Sequence, residues 1–231
     1  MGMEIIQGLI EALRLILSGD RTVMEISARS VAISGAATLL SAVWGAPIGI
    51  LLGLKESRWK LFIRGIFNSL LALPTAAIGL SLYLLFSRSG PLGFLHLLYT
   101  PTAIIVGQSI LITPIVVSFT ASAVEAVDPE IKDLARTLGA SESQVSLVTL
   151  KEARNGFFLA IMASFNRAIA ELGVALMLGG NIRGVTRVLT TAIALETGRG
   201  EITLGIALTV ILLTVVIILN FTIDMVRGRM G

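Results

Sequence analysis

The chain has 231 residues, of which 55% are hydrophobic and only 14% are charged, and its mean hydropathy is +0.89. This composition is too apolar for an ordinary soluble domain and is typical of a protein that lies in a bilayer. The sequence contains no cysteine, which excludes a disulfide framework, a thiol nucleophile and a cysteine-based metal site. The net charge of +3 is small and gives no reason to expect a nucleic-acid partner.

Residues 1–27 are predicted to form an N-terminal interfacial segment. Apolar residues recur at helical spacing over residues 4–17, and Glu4, Glu11 and Arg14 interrupt the apolar run. A cleaved signal peptide is the alternative, but such a peptide carries positive charge before its apolar stretch, and the first charge here is Glu4. We therefore expect an amphipathic helix that lies on the membrane and stays attached.

Five segments are long and apolar enough to cross a bilayer, since a spanning helix needs about 20 mostly apolar residues. The predicted spans are residues 31–54, 65–86, 101–124, 156–180 and 202–223. Pro74 lies near the middle of the second span, and Asp224, Arg227 and Arg229 end the last one. The sequence thus predicts an all-α membrane protein with five transmembrane helices.

The first span contains Gly45, Gly49 and Gly53, which repeat every four residues. Such a row lets a second helix approach closely. Pro47 lies in the same stretch, so the row is also consistent with local bending. We favour close packing.

A polar hairpin, residues 88–99, precedes the third span, and the third span itself carries few polar side chains. Gln108, Ser109 and Thr113 either join helices to one another or line a path for a hydrated solute, and their periodicity fits both. His96, the one histidine, has no second His, Cys or nearby carboxylate in the sequence with which to build a metal site.

The fourth span contains Arg167 and Glu171, which are one helical turn apart. Charges at membrane depth are costly unless they are paired or hydrated, so the spacing predicts an internal ion pair. The pair is either structural or borders a translocation path. Residues 181–200 are too polar at their ends to span and predict a short reentrant or surface-lying helix.

The longest polar run, residues 127–154, predicts a helix-turn-helix. Asp128 caps a first helix that begins at Pro129, Gly139 ends it, and Ser141 with Gln144 forms a capping box for a second helix. A DNA-binding head is the alternative, but hydrophobic spans lie close on both sides and leave no room for a separate globular core.

Within this segment, the pattern resembles the EAA loop of ABC importer permeases, in which Glu-Ala-Ala is followed by three residues and then Gly. Asp133 stands where that family has Glu. The resemblance implies that residues 127–154 form the cytoplasmic coupling loop that fits into a cleft of the ATPase subunit. The implied coupling residues are Asp133, Ala135, Gly139, Ala140 and Ser141.

Two further stretches, RAIAELGVALMLGGNIRG and NIRGVTRVLTTAIALETGRGE, resemble permeases of the molybdate and tungstate type, and most of all the tungstate type. The resemblance implies a type I permease fold in one domain, residues 1–231, and import of tungstate, molybdate or another oxyanion. The implied translocation path or gate consists of Arg167, Glu171, Asn181, Thr190 and Thr191.

The sequence has no nucleophile with a base, no phosphate-cradling Gly-Lys-Ser/Thr motif and no metal cluster, so we expect no enzymatic activity and no bound cofactor. The resemblance implies that a partner ABC ATPase uses the ATP. The other implied partners are a second copy of the chain, an extracytoplasmic oxyanion-binding protein and the bilayer. A self-contained secondary transporter or channel is the alternative, but only Glu171 supplies a carboxylate deep in a span.

Loop charges predict the orientation in the cell membrane. With the coupling loop inside, ten of the 18 Lys and Arg residues fall on the cytoplasmic side and seven fall outside. Because cytoplasmic loops carry an excess of positive charge, we expect the N-terminus outside and the C-terminus in the cytoplasm.

Overall fold

A computed structural model describes residues 2–55 and 58–230, with the side chains of residues 223, 224 and 226–230 left outside the description. Asp224, Arg227 and Arg229, which were predicted to end the last span, therefore lie outside the described side chains. The described residues form helices without a β-strand. Their α-helices are α1 (Gly2–Leu17), α2 (Arg21–Leu54), α3 (Lys60–Leu70), α4 (Thr75–Phe86), α5 (Pro101–Glu125), α6 (Pro129–Thr137), α7 (Glu142–Glu152), α8 (Arg154–Ile169), α9 (Gly173–Gly179), α10 (Leu189–Gly198) and α11 (Ile202–Met230).

Three of the described helices, α2, α5 and α11, are each long and apolar enough to cross a membrane. Two pairs of shorter helices, α3 with α4 and α8 with α9, meet the same test together and are bent at a short break. The number of spans is five if each bent pair is one span. The all-α membrane fold predicted from the sequence is confirmed.

The chain forms two compact units. Unit 1 contains Met1–Ala37, Pro74–Leu111 and Asn166–Gly231, and unit 2 contains Thr38–Leu73 and Ile112–Phe165. In unit 1, α11 packs against α1 and α10, and α4 packs against α9. One buried cluster of unit 1 comprises Val23, Ile26, Leu189, Ala192, Leu208 and Ile211.

The N-terminal segment differs from the prediction in its boundary. Asp20 Oδ1 accepts a hydrogen bond from the Val23 backbone N–H at 2.9 Å, which satisfies a free donor at a helix start and begins α2 at Arg21. The first predicted span, residues 31–54, is therefore the C-terminal part of a longer helix, and α1 alone forms a separate N-terminal helix. Its Gly8 lies against Ile206 of α11, and most of its larger apolar side chains remain exposed.

The glycine row of α2 packs closely against α5 within unit 2. A Cβ atom at Gly49 would lie 2.7 Å from both the Val117 carbonyl oxygen and the Thr120 Cβ. Gly45 and Gly53 likewise meet α5 at distances that leave little or no room for a side chain. This contact supports the close-packing interpretation, and α2 continues as one helix through Pro47.

The second predicted span is wrong as a single helix. Helix α3 ends at Leu70, and α4 begins at Thr75 directly after Pro74. Proline has no N–H to donate and disfavours a helical conformation in the residue before it, so the chain breaks here. Pro74 itself is extended, with ψ 126°.

Candidate functional site

The fourth predicted span is also wrong as a single helix, and its break lies at the predicted ion pair. Helix α8 ends at Ile169, and α9 begins at Gly173. No proline lies in the break. Instead, Glu171 Oε1 accepts a hydrogen bond from the Val174 backbone N–H at 3.1 Å, so the carboxylate satisfies a donor at the start of α9.

The predicted ion pair is present at this break. Arg167 Nη1 lies 2.6 Å from Glu171 Oε2, and the side chains are 37% and 2% exposed, respectively. The two carboxylate oxygens thus have different partners, one a guanidinium and the other a backbone N–H. A buried carboxylate is tolerated here because both oxygens are engaged.

Three other elements of unit 1 converge on the break. Gln108 of α5 donates from Nε2 to the Ala168 carbonyl at 3.1 Å, and Thr190 of α10 donates to the Glu171 carbonyl at 2.9 Å. A Cβ atom at Gly173 would lie 3.0 Å from Thr75 Oγ1 of α4. Carbonyl groups at the break therefore receive donors from neighbouring helices, as a break inside a buried region requires.

The sequence indicated that Gln108 joins helices or lines a path but did not place it at this break, and it gave no indication for Thr75. Gln108 is fully buried, and its Oε1 has no hydrogen-bond partner in the part of the chain that the structure describes. An amide within an uncharged span was the available signal, but its partner lies 60 residues away in the sequence.

The structure brings three of the five predicted path residues together, namely Arg167, Glu171 and Thr190. Thr191 is buried, and its Oγ1 accepts from the Val188 N–H at 3.0 Å, so it caps α10. Asn181 lies in the turn after α9, where its φ is 53°, and its Oδ1 accepts from Arg187 Nε.

Helix α10 begins inside unit 1. The Leu189 N–H donates to Ser30 Oγ at 2.8 Å, and the first four residues of α10 are buried. Residues 181–200 were predicted to form either a reentrant or a surface-lying helix. The burial of the first turn of α10 is inconsistent with a helix that lies wholly on the surface.

The second candidate region is the pair α6 and α7, whose corner is closed by backbone hydrogen bonds. Gly139 has a φ of 85°, and its N–H donates to the Arg136 carbonyl while the Ala140 N–H donates to the Ala135 carbonyl. These two bonds form a Schellman motif, which needs a left-handed residue at the glycine position. The predicted glycine corner is present.

Both predicted helix starts are present, although the capping box is only half formed. Asp128 Oδ1 accepts from the Glu130 N–H at 2.9 Å, and Gln144 Oε1 accepts from the Ser141 N–H at 2.8 Å. The Ser141 hydroxyl donates to the Gln144 side chain and makes no hydrogen bond to the helix backbone.

The charged side chains beside the Gly139 corner form ion pairs with one another. Arg136 bonds Asp133 Oδ1 and Glu142 Oε1, each at 3.0 Å. The hydrogen bond from Arg136 holds the pKa of Glu142 below its ordinary value. The predicted coupling residue Asp133 is therefore exposed and held by a neighbour on its own helix.

The helical pair also presents apolar side chains. Leu134, Leu138 and Leu147 are 60%, 79% and 55% exposed. The opposite side is anchored to the C-terminal end of α5 through a buried cluster that includes Val124, Val127, Ala153 and the partly buried Ile131 and Leu150. Exposed leucines on an anchored helical pair are suited to contact with another protein.

The described residues contain no group of three or more His, Asp or Glu side chains that could hold a metal ion. At the broken helix, the Arg167 side chain is 37% exposed, whereas the Val174 N–H and the Thr190 hydroxyl are engaged by Glu171. The α6–α7 pair presents the exposed side chains of Leu134, Leu138 and Leu147.

Comparison with known proteins agrees with this layout. Residues 45–231 match the family described as the binding-protein-dependent transport system inner membrane component. The tungstate uptake permease of Peptoclostridium acidaminophilum is 37% identical over 219 residues, which cover 95% of this chain and 96% of the relative. A tungstate uptake permease of Campylobacter jejuni is 37% identical over 217 residues, covering 94% and 91%. A probable anion ABC transporter permease of Haloferax volcanii is 40% identical over 202 residues, covering 85% and 87%. The resemblance noted in the sequence is confirmed, and the chain belongs to the family of binding-protein-dependent inner membrane components, the permeases of ABC transport systems.

Proposed function

We propose that this chain is the permease subunit of an importer for an oxyanion, with tungstate as the main cargo and molybdate as the second candidate. The observation that carries the proposal is the likeness to two tungstate uptake permeases over more than nine-tenths of the chain. The chain forms the membrane path, and a separate ATPase supplies the energy.

The broken helix supports a role for Arg167 and Glu171 in the path or gate. Irregular backbone at membrane depth is tolerated where it is buried in protein or lines a cavity, and broken helices often hold the ion site of a transporter. Arg167 is 37% exposed, so part of its guanidinium is accessible to an anion. Thr190 belongs to the same region, whereas Asn181 and Thr191 shape the turn and the cap beside it.

The α6–α7 pair is the proposed docking surface for the ATPase. Its exposed leucines supply apolar contact area, and the Schellman corner at Gly139 fixes the angle between its helices. A rigid corner transmits a displacement of the ATPase to α5 through the buried cluster at Val127 and Ile131. The working assembly contains two copies of this chain and takes cargo from an extracytoplasmic binding protein.

The proposed orientation places the α6–α7 pair and the C-terminus in the cytoplasm and the N-terminus outside the cell membrane. The excess of loop cations on the α6–α7 side supports it.

The test is transport in proteoliposomes that contain the full chain, its ATPase and the binding protein. Tungstate uptake is expected to require ATP and the binding protein and to be lost with an ATPase variant that cannot hydrolyse ATP. Molybdate and sulfate serve as competing anions. Uptake by the chain alone, driven by an ion gradient, would instead identify a secondary transporter or channel.

A further inference from the structure

Two adjoining cavities in unit 1 lie apart from the broken helix. One has a volume of about 330 Å³ and is bordered by α1, the start of α2, α10 and α11. The other has a volume of about 340 Å³ and shares Thr22, Ile26 and Arg183 with the first. Together the cavities are lined by five arginines, which are Arg21, Arg29, Arg183, Arg187 and Arg199.

Three carboxylates line the same cavities, and each already has a partner. Asp20 caps α2 through the Val23 N–H. Glu25 pairs with Arg21 at 2.9 Å, and Glu196 lies 3.7 Å from Arg199. Arg21 and Arg199 therefore have carboxylate partners.

The remaining arginines have no carboxylate partner in the described part of the chain. Arg29 donates to the carbonyls of Gly184 and Arg187 at 2.9 and 3.0 Å, and Arg187 donates to the Asn181 amide oxygen. Arg183 makes no ion pair or side-chain hydrogen bond with any described residue. Arg29 thus ties the backbone at Gly184 and Arg187 to α2, so the side chains of Arg183 and Arg187 extend from a held stretch of backbone.

The first cavity combines this charge with an apolar wall. Leu15, Leu204 and Leu208 also line it, and on their other side they pack with the buried cluster of unit 1. Leu15 belongs to α1, whose neighbouring Leu13, Ile16 and Leu17 are exposed. A ligand that fills the cavity therefore meets both guanidinium groups and hydrocarbon, and an amphipathic anion matches this lining better than a small inorganic anion does.

We propose that these cavities bind an anionic phospholipid, with its phosphate on Arg183 and Arg187 and an acyl chain along Leu15, Leu204 and Leu208. Guanidinium groups match the geometry of phosphate oxygens and bind them through paired, charge-assisted hydrogen bonds. The site is separate from the proposed path and does not depend on the identity of the cargo.

The test measures lipid retention by the full chain in detergent with native mass spectrometry. Phosphatidylglycerol is expected to be retained in preference to phosphatidylcholine. Arg183→Gln is expected to weaken phosphatidylglycerol binding by up to about fivefold, since the loss of one solvent-exposed ion pair changes a binding constant by that order. Arg183→Lys is expected to keep most of the affinity. Arg88→Gln, on the hairpin outside these cavities, is the matched control for loss of an exposed arginine and is expected to leave binding unchanged.

A second arm separates a lipid from a free anion. Dihexanoyl phosphatidylglycerol is expected to bind, whereas glycerol 3-phosphate and inorganic phosphate are not, because they lack the acyl chains that contact the leucine wall. The proposal is overturned if phosphatidylcholine binds equally well or if Arg183→Gln leaves phosphatidylglycerol binding unchanged. Binding of inorganic phosphate or tungstate that depends on Arg183 also overturns it, because the cavities would then be a site for free anions.

Discussion

The two single neutralisations of the buried ion pair are expected to destabilise the protein unequally. Arg167→Gln leaves the Glu171 carboxylate, which is 2% exposed, without its cation. Glu171→Gln leaves a guanidinium that is 37% exposed, and the new amide oxygen can still accept from the Val174 N–H. Arg167→Gln is therefore expected to lower the unfolding free energy more than Glu171→Gln does.

The magnitudes follow from this difference in burial. Removing one partner of a buried pair costs about 3–5 kcal/mol, and we place Arg167→Gln near the lower limit, at about 3 kcal/mol, because one carboxylate oxygen keeps its backbone donor. Glu171→Gln is expected to cost about 1 kcal/mol, since an exposed guanidinium loses little when its partner is removed. The double Gln variant, which carries neither charge, is also expected to cost about 1 kcal/mol, so the coupling is about 3 kcal/mol.

The assay is a double-mutant cycle on the unfolding free energy of the full chain in detergent, with tungstate uptake measured in parallel. If the pair is only structural, the double variant recovers both properties; if it also shapes the anion's path, stability recovers and uptake stays impaired. The exposed pair Arg21 and Glu25 has the same spacing and is the control, with an expected coupling of about 0.5 kcal/mol or less. Additive effects at Arg167 and Glu171, or a larger loss for Glu171→Gln than for Arg167→Gln, would refute the reasoning.

Three further predictions concern the corner, the orientation and the helix contact. Gly139→Val is expected to destabilise the corner by about 1 kcal/mol or more, because its φ is 85°, and to reduce coupled ATP hydrolysis and uptake. Gly139→Asn is expected to keep more of both activities, because Asn tolerates this conformation. Unimpaired coupling in the Val variant would contradict a role for the corner. A single cysteine at Ser18 is expected to react with an impermeant reagent added to intact cells and one at Ser143 is not, and the opposite labelling would reverse the proposed orientation. Gly49→Ala is expected to lower the yield and melting temperature of the protein, because its Cβ would meet α5 at 2.7 Å, whereas Gly35→Ala, with open space around it, is expected to be neutral or stabilising. Equal melting temperatures for the two alanine variants would show that the glycine row does not determine the close contact between α2 and α5.

Local sequence was sufficient where a structural feature depends on neighbours in the chain. The α6–α7 pair was predicted with its first cap at Asp128, its corner at Gly139 and its second start at Ser141, because each uses hydrogen bonds between residues only a few positions apart. The spacing of Arg167 and Glu171 was likewise enough to predict their contact.

The two broken spans show where local signals are insufficient. Pro74 marked the first break, but a proline inside an apolar run does not always end a helix. Pro47, for example, lies within the continuous α2. The second break carries no proline, and its local feature is the Glu171 carboxylate, which accepts from the Val174 N–H three residues later. It is stabilised by donors from Gln108 and Thr190, which are far from it in the sequence.

The sequence alone determined the membrane class, the helical pair at residues 127–154 and the presence of a charged pair in the fourth span, because these depend on composition and on short-range spacing. The tertiary structure decided that this span is two helices, that Gln108 belongs to the same site, and that the arginines of the 183–187 turn share a cavity with leucines of α1 and α11. The physical reason is that a buried carbonyl or carboxylate tolerates a broken helix only when donors reach it, and which donors reach it depends on how distant segments pack.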